Sequence, residues 1–363
     1  MIIRLLMLTA LSFPPSARAA EPDPYAQGRE VVTSLGKIFT PNGVNETFEI
    51  ELGEARQVVN VRGADRANPI LLFVHGGPGA VEMPIAWSFQ RPWEDFFTVV
   101  QWDQRGAGRS YPLNDPKKLA PTMTIERYRD DAIELIEALK ARYGKRKVIL
   151  VGHSWGSIVG LSVAVARPDL LHAYVGMGQA IGFLNAERVG IDWTLAEAKR
   201  RGDTDAAREL TALAPYPEGG PFTIAKADGW RKWAIRYGAL AAYRPDAQFY
   251  FDVIKLSPEY TPADRKAWSQ GSAFSVETLW PKLRDVSFAN VRQIKVPIFF
   301  FLGRHDYLVP HPVASAWIDQ VRAPRKETIW FDHSAHLMMI EEPGRTLQAL
   351  VDRVRPVAQE KGR

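Results

Sequence analysis

Val148-Ile149-Leu150-Val151-Gly152-His153-Ser154-Trp155-Gly156-Ser157 is the stretch on which the reading of this chain turns. The four apolar residues at its start suit a strand covered on both faces, since successive side chains point to opposite sides of a sheet. The run stops at Gly152, and from Trp155 to about Arg167 the pattern is that of a helix. A serine between such a strand and such a helix sits on a sharp, strained turn, with a glycine two residues away on either side to relieve crowding. Its hydroxyl would stand beside the free amides and the positive end of the helix. A serine hydroxyl is a poor nucleophile at neutral pH, and it reacts only when a base and a fixed geometry are supplied. The turn supplies the geometry, so Ser154 is the candidate nucleophile.

Working outward, further short apolar runs read as buried strands: Ile70 to Val74, Phe97 to Val100, Ala173 to Val175, Ile298 to Phe301 and Thr328 to Phe331. Helical patterns alternate with them. From Thr124 to Tyr143 the residues Ile125, Tyr128, Ala132, Leu135, Leu139 and Tyr143 recur at helical spacing, with Thr124 placed to cap the start and Gly144 the end. Such alternation predicts an α/β fold with a mostly parallel, doubly wound sheet. Residues 46–62 read as an antiparallel pair at one edge. The rhythm breaks between about Ile181 and Arg284, in a stretch rich in Trp, Tyr, Ala and Arg, and resumes at Val296. The expected organisation is a core at 20–181 and 285–363, with an inserted helical cap at 182–284.

The chemistry needs more than the serine. His75-Gly76-Gly77-Pro78-Gly79 follows the strand that ends at Val74, and a loop so short of side chains can bring backbone amides close to a substrate carbonyl. Two amides aimed where negative charge develops form an oxyanion hole; Gly77 and Trp155 are the expected donors. His75 reads as an organiser of its loop. For acid and base, chain order and strand ends select Asp306, after Ile298 to Phe301, and a histidine after Thr328 to Phe331. That histidine is His336 or His333, which spacing alone leaves open.

Five segments in order then resemble the prolyl aminopeptidase branch of the α/β-hydrolase superfamily: HGGPG at 75–79, WDQRGAGRS at 102–110, GHSWGS at 152–157, GRHD at 303–306 and SAHLMMIEEP at 334–343. The resemblance covers about residues 45–180 and 290–355 and implies the α/β-hydrolase fold. In many such hydrolases the catalytic histidine lies five residues before a Glu and seven before a Pro. His336 stands so to Glu341 and Pro343, which implies a triad of Ser154, Asp306 and His336, with Asp103 and Arg105 in a supporting loop. One departure concerns the substrate. Prolyl aminopeptidases are similar in carrying cap glutamates that bind the free amine, one right after a Trp-x-x-Trp pattern, whereas Trp230-Arg231-Lys232-Trp233 is followed here by Ala234. Asp246 and Glu259 are candidate replacements, and Trp230 and Trp233 candidate substrate contacts, although burial in the cap's own core is the simpler reading of the aromatics.

The composition narrows the remaining classes. No cysteine occurs, so disulfides, thiolate metal sites and a cysteine nucleophile are excluded. No metal or organic cofactor is implied. Basic and acidic residues number 46 and 41, are not gathered in blocks, and give no footprint for nucleic acid. Arg4, the apolar run Leu5 to Phe13 and Ala17-Arg18-Ala19 read as a signal peptide over residues 1–19, which predicts a periplasmic or secreted protein. No later segment is apolar over the length needed to span a bilayer. The expected function is hydrolysis through an acyl-enzyme, releasing N-terminal residues from short peptides. A carboxylesterase acting on small esters is the alternative, and a catalytically silent binding protein on the same scaffold is the third reading. Oligomeric state is not legible.

Overall fold

The computed structural model describes residues 23–359, so the leader expected at 1–19 lies outside the described residues. Eight strands form one sheet: β1 (Val44–Leu52), β2 (Ala55–Gly63), β3 (Ile70–Val74), β4 (Thr98–Asp103), β5 (Val148–His153), β6 (Leu171–Met177), β7 (Ile298–Gly303) and β8 (Lys326–Phe331). Their order across the sheet is β1-β2-β4-β3-β5-β6-β7-β8. β2 runs antiparallel to both neighbours, and every pairing from β4 to β8 is parallel. The α/β fold read from the sequence is therefore present, and the pair expected at 46–62 is its β1–β2 edge.

The unbroken apolar runs reflect burial on two sides. In β3, Ile70, Leu72 and Val74 pack into one core, with Leu135 and Leu139 of the helix Ile125–Tyr143 and Ile158 and Val159 of the helix Trp155–Ala166. Leu71 and Phe73 point the other way, toward Phe89, Trp93, Leu350 and Val354. Each such side chain contributes roughly 1.5–3 kcal/mol on burial, so no face of β3 can carry a polar residue cheaply. The helix Ile125–Tyr143 starts and stops on its capping residues. Thr124 Oγ1 accepts from the amide of Arg127 at 3.1 Å, and Gly144 closes the end in the left-handed region, with φ 64°.

Strand order positions the site. The chain passes from β3 to β4 on one side, whereas β5 lies on the other side of β3, so the connections diverge and leave a crevice beyond the carboxyl ends of β3 and β5. Val74 pairs with Gly152 across those two strands, which brings the glycine loop and the Ser154 turn level with one another. Gly303 pairs with Phe331 at the same edge of the sheet, where β7 and β8 end. Between β6 and β7 the chain leaves the sheet and forms the helices Phe183–Arg201, Thr204–Thr211, Ile224–Arg236, Gln248–Val253 and Pro262–Leu283.

Candidate active site

Ser154 has φ 54° and ψ −118°, a conformation that costs a residue with a side chain on the order of 1–3 kcal/mol. The surroundings hold it there. Its amide donates to the carbonyl of Met177 at 3.0 Å, and its carbonyl accepts from the amide of Ser157 at 2.9 Å. The turn also requires close backbone contact. A Cβ on Gly156 would stand 2.0 Å from the carbonyl oxygen of Val74, and one on Gly152 would stand 2.4 Å from that of Gly156. Ser154 occupies the N-cap of the helix Trp155–Ala166 but makes no capping bond with its side chain. Its hydroxyl is thus left to the cavity that the residue lines.

Asp306 and His336 meet in the same place. The loops after β7 and β8 bring His336 Nδ1 to 2.7 Å from Asp306 Oδ2, while Asp306 Oδ1 accepts from the amide of Val309 at 2.9 Å. Both side chains are buried. A carboxylate on Nδ1 fixes the hydrogen on that nitrogen and leaves Nε2 free to accept. His333, the alternative from spacing, is exposed; its amide donates to Glu342 and its ring meets Tyr243 Oη at 3.5 Å. The ring of His305 contacts the same tyrosine at 3.2 Å.

Gly178, just beyond β6, shapes this pair and was not singled out in the sequence. It has φ 56°, and a Cβ there would lie 2.8 Å from His336 Cε1 and 3.3 Å from Asp306 Oδ2. Gly178→Ala is therefore expected to displace the imidazole and lower kcat about 100-fold. Steady-state assay with circular dichroism as a folding control tests this, and unchanged kcat would refute it.

Gly77 and Trp155, the expected oxyanion donors, line the cavity together with Ser154. Trp155 is the first residue of its helix, so its amide has no acceptor within that helix. Its indole is directed away, donating to Gln104 Oε1 at 2.9 Å and packing edge-on to Tyr128. His75 organises its loop: Nδ1 lies 2.9 Å from the carbonyl of Gly76, and Nε2 accepts from the amide of Gln104 at 3.2 Å. Burial pushes its imidazole down to about 4, which suits the neutral form. Arg105 binds Asp131 through two nitrogens at 2.8 and 2.9 Å, and Asp103 accepts from the amide of Arg109 at 2.7 Å. Neither Asp103 nor Arg105 lines the cavity.

A strap from the helical segment secures the His336 loop. The amide of His336 donates to the carbonyl of Leu240 at 3.0 Å. Two residues on, the amide of Ala242 donates to Glu341 Oε1. Glu341 Oε2 accepts from the amides of Ala335 at 3.0 Å and Leu337 at 3.1 Å, the residues on either side of His336. Burial pushes the Glu341 carboxyl up to about 7, against the amides that hold it down. Its folded value then lies above its unfolded value, so the folded state holds the proton more tightly. Stability from this group is complete below about pH 4.5 and is lost as the pH rises through 7. The gain in Tm between about pH 8 and about pH 5.5 is expected to be about 2–6 °C larger for the wild type than for Glu341→Gln. Equal gains in scanning calorimetry would exclude this titration.

The cavity over Ser154 has a volume of about 380 Å³. Its wall is mostly apolar, with Phe183, Tyr250, Trp268 and Trp280 contributed by the helical segment. The charged side chains which that segment adds to the wall are Glu187, Asp228 and Arg231. Glu187 is buried and bound to Trp230 Nε1 at 3.0 Å, to Tyr216 Oη and to Arg231. None of the four residues picked from the sequence as substrate contacts lines this cavity. Trp230 is fully buried behind Glu187, and Trp233 donates to Glu209 at 2.9 Å. Asp246 is exposed, where it caps the amide of Gln248. Glu259 lies 3.5 Å from Arg62, at a separate cavity. Ala234 is fully buried and does not line the cavity. Which face of each helix turns to the cavity depends on packing between helices, and the single sequence carried no signal for it. Among the described residues there is no group of three or more His, Cys, Asp or Glu able to hold a metal ion, and no helix long and apolar enough to cross a membrane.

Comparison with known proteins agrees with this architecture. A probable aminopeptidase of Bacillus subtilis is 32% identical over 81% of this chain and 92% of its own length. A proline iminopeptidase of Arabidopsis thaliana is 27% identical over 80% of this chain and 73% of its own. The crystal structure of a proline iminopeptidase-related protein from Thermus thermophilus shares the fold, with a TM-score of 0.63 and 21% identity over 86% of this chain and 99% of that one. The profile of the Alpha/beta hydrolase family matches residues 71–349, and the chain belongs to that family.

Proposed function

We propose that the protein is an exported serine peptidase of the prolyl-aminopeptidase kind, with Ser154, His336 and Asp306 as its triad. The observation that carries this reading is the His336–Asp306 hydrogen bond of 2.7 Å, opening on the same cavity as a serine held at a strained strand-to-helix turn. In the reaction, Ser154 Oγ attacks the carbonyl carbon of the first residue of a short peptide, and its proton passes to His336 Nε2. The amides of Gly77 and Trp155 bind the oxyanion. Collapse expels the shortened peptide as an amine, which takes the proton back from His336. Water then repeats the sequence on the acyl-enzyme and frees the N-terminal residue. Residues 182–284 act as a cap that excludes bulk water, and Asp228 and Glu187 are the carboxylates which that cap sets toward the substrate's ammonium group. The names of the Bacillus and Arabidopsis relatives support this substrate class.

A second reading, a carboxylesterase for small esters, is favoured by one observation. Glu187 is already occupied by Arg231, Tyr216 and Trp230, and most of the remaining wall is apolar. Rates on a proline arylamide and on short-chain aryl esters, with Ser154→Ala as the blank, separate the two. Arylamide turnover is the expected result, and ester turnover without it would establish the esterase. Failure of a fluorophosphonate probe to label the folded protein would instead favour a silent binding protein. Export is read from the signal-peptide pattern at residues 1–19, and a mature N-terminus at Ala20 by mass spectrometry is the matching observation.

A further inference from the structure

Two buried ionisable side chains next to Ser154 are not used by the triad. Glu82 and His153 are 1% and 2% exposed, and both reach the cavity. Glu82 Oε2 accepts from the amide of Gly76 at 3.2 Å, and Glu82 Oε1 contacts His153 Nδ1. On the other side of the ring, His153 Nε2 lies 3.0 Å from the carbonyl oxygen of His336. The two imidazole rings are 4.8 Å apart, centre to centre. One side-chain pair therefore touches all three catalytic loops. It holds the amide before Gly77, it belongs to the residue before Ser154, and it binds the backbone of His336 itself.

The chemistry of the two contacts sets the charge. A carboxylate and a backbone carbonyl are both acceptors, so each ring nitrogen of His153 has to donate, which only an imidazolium can do. Burial by itself would disfavour that cation. The charge of Glu82, its hydrogen bond and the His336 carbonyl outweigh burial, and the imidazole is raised above its ordinary value. The other ionisable groups facing His153 are Asp306, which favours the cation, His75, held neutral by its own burial, and the His336 ring, 4.8 Å away. A buried ion pair seldom adds stability over an apolar pair of similar shape, so fold stability alone does not account for this one.

We infer that Glu82 and His153 form a buried carboxylate–imidazolium couple that positions the glycine loop, the Ser154 turn and the His336 loop relative to one another. The inference rests on the assignment of Ser154 and His336 proposed above, and Glu82 and His153 are positioning residues within it. Two measurements test it. In protein labelled with ¹⁵N at histidine, both ring nitrogens of His153, identified by their loss in His153→Gln, are expected at imidazolium shifts at about pH 8. A neutral ring there overturns the couple, and this arm does not depend on any active variant. In the second arm, Glu82→Gln, His153→Gln and the double variant are compared by fluorophosphonate labelling rate and by kcat and KM per folded protein. Each single change is expected to slow labelling and kcat about 10- to 100-fold, with KM moving less than about threefold. The double variant should be no slower than the worse single, because the pair acts as a unit. His153→Gln leaves a bare carboxylate near His336, so the acid limb of its kcat/KM profile should move up by about half a unit to one unit. Variants that lose thermal stability but keep wild-type kcat and pH profile would show a purely structural pair and overturn the inference. A wild type that the probe does not label would overturn the nucleophile assignment, whereas the couple itself stands or falls on the state of the His153 ring.

Discussion

Ser154→Ala is expected to lower kcat by about five to six orders of magnitude on whichever substrate the wild type turns over. The effect is large because, in the proposed mechanism, no other group can take over the bond that the hydroxyl oxygen makes to the substrate carbonyl. What remains is the rate that the oxyanion donors and the cavity sustain without a nucleophile, about 10³–10⁴ over water in comparable cases. Fluorophosphonate labelling should vanish as well. The fold should survive, since alanine keeps the Cβ, and the backbone bonds of residue 154 to Met177 and Ser157 do not use the hydroxyl. Retention of more than about 1% of wild-type turnover, with an unchanged circular dichroism spectrum, would remove Ser154 from the mechanism.

His336→Ala carries the second-largest expected loss, about four to six orders of magnitude in kcat. In the proposed mechanism its imidazole accepts the serine proton and later returns it to the leaving group, and Asp306, 2.7 Å from Nδ1, orients it for both steps. Acidification should abolish the same function by protonating the ring. His333→Ala is the control: that side chain is exposed and contacts Tyr243 rather than Asp306, so turnover should stay within about twofold of wild type. Losses of similar size at both positions would reverse the assignment. Stopped assays on both variants and on the wild type, at equal folded concentration, decide it.

These experiments bear on residues that differ in how far the sequence announces them. The setting of Ser154 is local: a buried strand, a turn and a helix lie within twenty consecutive residues, and each is recognisable from its own pattern. The caps of the helix Ile125–Tyr143 are legible for the same reason, since Thr124 and Gly144 make their capping bonds to Arg127 and Lys140, within one turn of the chain. Asp306 and His336 are thirty residues apart, and only the resemblance through Glu341 and Pro343 singled out His336 from His333. The geometric reason is that β7 and β8 are adjacent parallel strands whose loops emerge side by side.

The cavity wall is the opposite case. Glu187 and Arg231 reach the site while Trp230, Trp233, Asp246 and Glu259 do not, although all lie in the same aromatic and charged stretch. Helical periodicity states that a helix has faces, but the partner that each face meets is set by how the helices cross. Glu82 contacts a histidine 71 residues away, and Gly178 and His336 approach across different strands. Such contacts have no local signature.

From its sequence alone, then, the chain declares its fold class, the strand-to-helix turn at Ser154, the glycine loop facing it and the order of the candidate acid and base, because each of these follows from short-range pattern and chain order. The tertiary structure alone decides what surrounds that serine: the strap from Leu240 to Ala242, the Glu82–His153 pair and the mixed Glu187, Asp228 and Arg231 wall. Those are long-range contacts, set by the packing of elements far apart in the chain, and with them goes the identity of the substrate.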